Sequence, residues 1–247
     1  MGIFDRYKEP VFLKESEGVE EEIKFLESLL EKAPENTKKQ IRKNIRCLQA
    51  GKAGEECIAF ELKNSHMPMF VLHNLYLVHG EYSAQIDYLI VTRKRCFVIE
   101  CKNLYGDIEV NSSGDFIRTV RYGNRCVKEG IYSPITQNQR HMEVIKAVRS
   151  ESKGNIITKA LFEKAFEQNY RSVVVLSNPQ TVLNARYAKK EVKDKNRNGS
   201  GLSEMWRPYD QENGFAGSVC GKYILRVFHI SEMQGNCQYP TAGKAGG

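Results

Sequence analysis

"QIDYLIVTRKRCFVIECKN", residues 85–103, decides how this chain folds. Two apolar runs flank the basic turn 92–95, the pattern of a β-hairpin. Into those runs the sequence sets Asp87, Glu100 and Lys102, beside Ile, Leu, Val and Phe. An ionised carboxylate in apolar surroundings costs several kcal/mol, roughly, unless it has a partner. Side chains alternate along a strand, so Glu100 and Lys102 point to one face. Pairing the strands through the turn brings Asp87 opposite that face, and three charged groups converge at one end of a sheet. Two close carboxylates repel, and one of them ordinarily keeps its proton. A divalent cation removes the conflict: Mg²⁺ takes one or two carboxylates and keeps several waters, which leaves room for a phosphate oxygen.

Outward from the hairpin, "MFVLHNLYLV" (69–78), "AQIDYLIV" (84–91) and "CFVIECKN" (96–103) read as three strands. Before them, "AGKAGEECIAFELKN" opens a helix at about Gly51 whose Ile58 and Leu62 face a core. After them, "GDIEVNSSGDFIRTVRY" reads as a further hairpin around Ser112, Ser113 and Gly114. "SPITQNQRHMEVIKAVRS" is a helix to about Val148, with Ser133 as cap and Pro134 in its first turn. A helix near 157–167 and the apolar strand "RSVVVLSN" (171–178) follow. The order is helix, three strands, helix, strand, with a hairpin inserted before the second helix: an α/β fold.

Residues 1–50 form an N-terminal arm. Val19, Ile23, Leu26 and Leu30, then Ile41, Ile45 and Leu48, recur at helical spacing over 17–50, and Pro34 separates the two helices. The charge outside those stripes is that of a solvated helical hairpin; self-association through residues 17–50 is the minority reading.

With 247 residues, 41% of them hydrophobic, the chain can build one sizeable core and an appendage. The net charge of +7 favours a polyanionic partner. Seven scattered cysteines with no CxxC pair argue against a disulfide framework and against zinc in this chain. Cys57, Cys96 and Cys101 read as buried thiols. No apolar run approaches the roughly 18 residues of a membrane span. The N-terminus lacks the apolar core of a secretory signal, and Arg6 stands where a myristoylation motif wants Ser or Thr. The expectation is a cytoplasmic protein without a membrane partner.

The spacing of Asp87, Glu100 and Lys102 resembles the PD-(D/E)xK nuclease superfamily, whose core has the element order read above. "GKAGEE", "QIDYLIV", "FVIECKNLYGDI" and "SPITQNQRHMEVI", in that order, further resemble the nuclease-related domain (NERD) family over roughly residues 51–193. The resemblance implies a restriction-endonuclease-like core and a Mg²⁺- or Mn²⁺-dependent nuclease acting on DNA. It implies Asp87 and Glu100 as main metal ligands, Glu55 as an outer or third acidic ligand, and Lys102 as catalytic lysine. Gln137 would position a phosphate or a water. Each residue has a plainer alternative. Asp87, Glu100 and Lys102 could be a structural ion-pair cluster, Glu55 could satisfy donors in the first turn of its helix, and Gln137 could brace backbone. His141 reads more readily as a satisfied, partly buried histidine. The TRKR turn, Arg118, Arg121, Arg125 and Lys128 are candidate phosphate contacts. The rival function is a non-catalytic nucleic-acid-binding or scaffold protein on the same fold.

The stretch 194–247 loses amphipathic pattern and reads as an irregular tail. Read one base later, Met205-Trp206 must give Cys-Gly, and Met233-Gln234 must give Cys and a basic residue. The shifted frame permits a four-cysteine pattern similar to the zinc ribbons of bacterial topoisomerases. The expectation is a frameshift near Lys195–Asn196, with residues 196–247 an out-of-frame remnant.

Overall fold

The hairpin forms as its pattern requires: Tyr82–Thr92 (β3) pairs antiparallel with Cys96–Lys102 (β4). A computed structural model describes residues 2–15 and 18–186 and the backbone of residues 226–230. Before the hairpin come β1 (Val11–Lys14), α1 (Val19–Leu30), α2 (Glu35–Lys63) and β2 (Met69–His79). After it come β5 (Asp107–Val110), β6 (Phe116–Tyr122), β7 (Arg125–Ile131), α3 (Pro134–Glu151), α4 (Ile156–Asn169), β8 (Tyr170–Leu176), β9 (Leu183–Asn184) and β10 (Arg226–Ile230). The main sheet has the order β1-β2-β3-β4-β8-β10, and a second sheet has the order β7-β6-β5-β9. The core order is the expected one: helix, three strands, helix, strand.

β4 and β8 run parallel as neighbouring interior strands of the main sheet, and both faces are covered. Their side chains alternate between two cores, which is why they read as nearly continuous apolar runs. Phe97, Ile99, Val173 and Val175 pack with Ile58 and Leu62 of α2. Val98 turns to the other side, with Met142 and Ile145 of α3 and Phe166 of α4. The start of α3 is fixed as its sequence promised: Ser133 Oγ accepts from Thr136 N at 3.3 Å, and Pro134 occupies the first turn.

Three features differ from the reading of the sequence. The insertion is three strands, because "RCVKEGI" adds β7 after a turn at Gly123, whose φ of 56° suits glycine. The short β1 joins β2 in parallel at one edge. Most consequential, no break separates arm from core: α2 is one helix of 29 residues running through Gly51 and Gly54. Glu55 therefore sits deep inside a helix and not in a first turn. Ile41 and Ile45, read as part of the arm's stripe, are buried within the chain itself. The expected frameshifted tail lies outside the described residues, apart from β10, whose backbone pairs antiparallel with β8.

The two glycines of α2 have different reasons to be there. A Cβ on Gly54 would come within 2.5 Å of Ser177 Oγ and 2.9 Å of Asn103 Cβ, whereas one on Gly51 would meet nothing within 4 Å. Gly54 sets the closeness of helix and sheet, and Gly51 does not. Two side chains fasten the helix on either side of it: Asn103 Nδ2 donates to Ala50 O at 2.7 Å, and Tyr88 Oη to Glu55 O at 2.7 Å. Gly54→Ala should destabilise the protein by about 1–3 kcal/mol through overpacking. Gly51→Ala should be neutral or stabilise by up to about 1 kcal/mol through helix propensity. Urea unfolding of both variants checks the contrast.

Candidate active site

Glu100 occupies a strand position where its neighbours Val98 and Ile99 are fully buried, and its own side chain is only 1% exposed. It survives there through Lys102, two residues along the same face, whose Nζ lies 2.6 Å from Glu100 Oε1. The other oxygen, Oε2, has no hydrogen-bond partner. His141 of α3 comes nearest, with Nδ1 at 3.4 Å, too far for a good bond and likewise unpartnered. Burial, with Lys102 adding to it, pushes the His141 imidazole down to about 4. Near neutral pH that ring is uncharged and cannot serve as the missing counterion. Burial also raises Glu100, an effect that Lys102 opposes.

Asp87 approaches from the neighbouring strand. The ladder between β3 and β4 runs to Tyr88 and Ile99, and just beyond it Asp87 Oδ2 accepts from Cys101 N at 2.6 Å. The carboxylate thereby takes over a bond that the ladder would otherwise have supplied. Burial and, next, the charge of Glu100 push Asp87 up to about 8. This is the conflict anticipated from the sequence: two acidic groups too close and too dry to be ionised together without a further positive charge.

Glu55 reaches the same place from α2. Its charge acts on both Asp87 and Glu100, yet its Oε2 is engaged at 2.7 Å by Nε2 of His73. The His73 ring is stacked on Tyr88, centroids 4.2 Å apart, and so is held rigidly in β2. Among the described residues no three His, Cys, Asp or Glu groups gather as a metal cluster, so the acidic trio does not close on one point. The donors that fit a hard cation are Asp87 and Glu100, whose fully buried Oε2 has no hydrogen-bond partner. A two-carboxylate site with several waters is the ordinary arrangement for Mg²⁺.

Glu55, Asp87, Glu100 and Lys102 open into one cleft of ≈ 910 Å³, which Gln137 and His141 of α3 also line. Gln137 is half-buried there, one turn before His141. Of the basic residues considered for substrate contact, only Arg118 reaches the cleft, and it is paired with Glu129; the turn at 92–95 does not line it. The cleft's basic wall comes instead from Lys39, Arg42, Lys43 and Arg46 of α2, which the sequence reading had placed on a solvated arm.

The profile of the nuclease-related domain, NERD, matches residues 50–177, more than half of the chain. The chain belongs to the nuclease-related domain family. The match ends at Ser177, short of the 193 expected, and begins at Ala50, midway along α2. No curated protein matches the chain in sequence. No solved structure matches it either. Among the described residues, no helix of this family member is long and apolar enough to cross a membrane.

Asn138, beside Gln137 in the same motif, has a role that the sequence did not disclose. Fully buried, its Nδ2 contacts Val98 O at 2.8 Å, Ser172 Oγ at 2.9 Å and Val173 O at 3.0 Å. It clamps α3 across β4 and β8, and so fixes where Gln137 and His141 stand. A buried polar residue in the middle of an apolar helix face was the available signal. Asn138→Ala should cost about 2–3 kcal/mol, from lost hydrogen bonds and orphaned acceptors. Asn138→Asp should cost more, because an acceptor-only carboxylate would face two carbonyls. Chemical denaturation of the two variants checks the ranking.

Proposed function

We propose that this nuclease-related domain hydrolyses phosphodiester bonds of DNA with a divalent cation, Mg²⁺ or Mn²⁺, in DNA processing. The observation that carries the reading is Glu100: a carboxylate buried beside a second carboxylate, ion-paired through one oxygen only, at the floor of a cleft with a basic wall. A structural ion pair would use both oxygens, and leaving one bare costs stability. Asp87 and Glu100 would hold the cation. When bound, it would supply Lewis-acid polarisation of a phosphoryl oxygen and a lower pKa for a coordinated water.

The protein's own residues do the rest. Lys102 has three donors; one is committed to Glu100, and the others can orient the attacking water or meet charge growing on the phosphorus. Its place is fixed by that ion pair, which spares it the entropy of finding the substrate. Gln137 offers an amide from the opposite wall to a phosphate oxygen or to the water. His141, uncharged, can donate to Glu100 or accept from a water. Glu55 adds negative charge near the site while His73 holds it back, which makes it an outer carboxylate and not one of the two principal ligands.

Cleavage of plasmid and single-stranded DNA with Mg²⁺ or Mn²⁺ should be lost by at least about 100-fold in Asp87→Ala and in Lys102→Ala. The same ions at saturating concentration should raise the wild-type unfolding free energy by about 2–3 kcal/mol and leave Asp87→Asn/Glu100→Gln unmoved. A wild-type protein that neither cuts nor gains stability with either ion would leave the chain a nucleic-acid-binding scaffold.

A further inference from the structure

Seven lysines and arginines stand along the described faces of α2 at Lys38, Lys39, Arg42, Lys43, Arg46, Lys52 and Lys63, and they divide sharply. Lys38, Lys52 and Lys63 are neutralised, by Glu35, by Glu20 and Glu56, and by Glu15. Lys39, Arg42, Lys43 and Arg46 are exposed, line the cleft and make no ion pair among the described residues.

Their spacing, i, i+3, i+4 and i+7, puts all four on one helix face. It also makes four like-charged neighbour pairs: 39 with 42, 39 with 43, 42 with 46, and 43 with 46. Each such pair destabilises a helix. Glu35 attracts Arg42 only at a distance, and no carboxylate among the described residues forms an ion pair with any of the four, so the stripe is left for a polyanion that enters the cleft. The stripe is about 10 Å long, and its last member lies about 13 Å along the helix axis from Glu55. It runs toward the carboxylates on the floor without overlapping them. A row of cations approaching a phosphate-cleaving centre matches a strand of phosphates, three or so at the rise of about 3.4 Å per nucleotide.

We infer that the N-terminal half of α2 is a backbone-tracking wall that holds the nucleic-acid strand leading into the active site. It reads phosphates, and therefore no base sequence. The inference rests on the nuclease reading for the identity of the polyanion. The wall lies before Ala50, outside the segment that matches the family. The continuous helix is what makes it effective: cations and Glu55 ride on the same rigid rod.

The test is binding of a fluorescently labelled DNA duplex to the full chain in EDTA, read by anisotropy between about 50 and 200 mM salt. Arg42→Ala/Arg46→Ala should lower the slope of log affinity against log salt by about 2, and weaken binding on the order of 50-fold near 100 mM salt. The loss should be the same for unrelated DNA sequences. Lys38→Ala/Lys63→Ala removes the same net charge from the paired face and should leave the slope unchanged. Equal losses in the two double variants would reduce the effect to bulk charge and overturn the wall. So would an unchanged slope in the cleft-face variant, or no DNA binding by the wild type. Cleavage in Mg²⁺ or Mn²⁺ separates the two readings. A wild type that binds with the expected slopes and never cuts overturns hydrolysis and keeps the wall. A cleft-face variant that binds and cuts like the wild type overturns the wall alone.

Discussion

The buried carboxylate of Glu100 is the constraint around which the rest is arranged. Its burial follows from its place in β4, covered on one face by α2 and on the other by α3. A charge there must be compensated, and Lys102 does so for one oxygen. The second carboxylate makes matters worse: Asp87 is set opposite by the hairpin register and anchored by Cys101 N. A fold selected only for stability would replace such a pair with apolar residues, often at no cost or with a gain. Retaining two dry carboxylates, one with a bare oxygen, is intelligible where a cation and a phosphate complete the site.

Precision at this point depends on contacts that carry no chemistry themselves. Asn138 fastens α3 to β4 and β8 through three oxygens, while Asn103 and Tyr88 fasten α2 through its own carbonyls. Gly54 lets the helix come close enough for those bonds to form. Each is a polar or small residue in an apolar setting, and each sits within a few residues of a group with a proposed catalytic role. His73 belongs to the same layer: stacked on Tyr88, it sets the direction of Glu55.

Much of this was legible in the sequence, for identifiable reasons. The central strands announced themselves because burial on both faces leaves only apolar residues, and α3 because Ser133 and Pro134 mark its start. Asp87, Glu100 and Lys102 stood out as charges inside those runs, and β-strand alternation together with the pairing of β3 and β4 brings them together. What stayed hidden depended on partners distant in sequence. β1 is four residues long and has no pattern of its own; β2 makes it a strand. β7 is exposed along nearly its whole length, so no alternation betrays it. The engagement of Glu55 by His73, 18 residues away, has no periodicity to read. The unity of α2 was concealed by two glycines, which in most helices would mark an end. Here Gly51 is tolerated because the helix is held from both sides, and Gly54 is required by what it touches.

That continuity changes the meaning of the arm. Treated as a separate hairpin, residues 17–50 are a charged appendage whose cations need no explanation. Treated as the first half of a helix that ends against the sheet, they become one wall of the cleft. Like-charged neighbours at this spacing cost about 0.2–0.5 kcal/mol each, and among the described residues no ion pair offsets the four pairs on α2. The carboxylates on the cleft floor are the mirror case, a local excess of negative charge. The two excesses lie in one cleft and yet stay apart, because the helix fixes their distance. Side chains on flexible loops would swing together and cancel. Held separate, they leave room between for a molecule that is itself a row of negative charges, and for the cation that such a molecule and the two carboxylates can share.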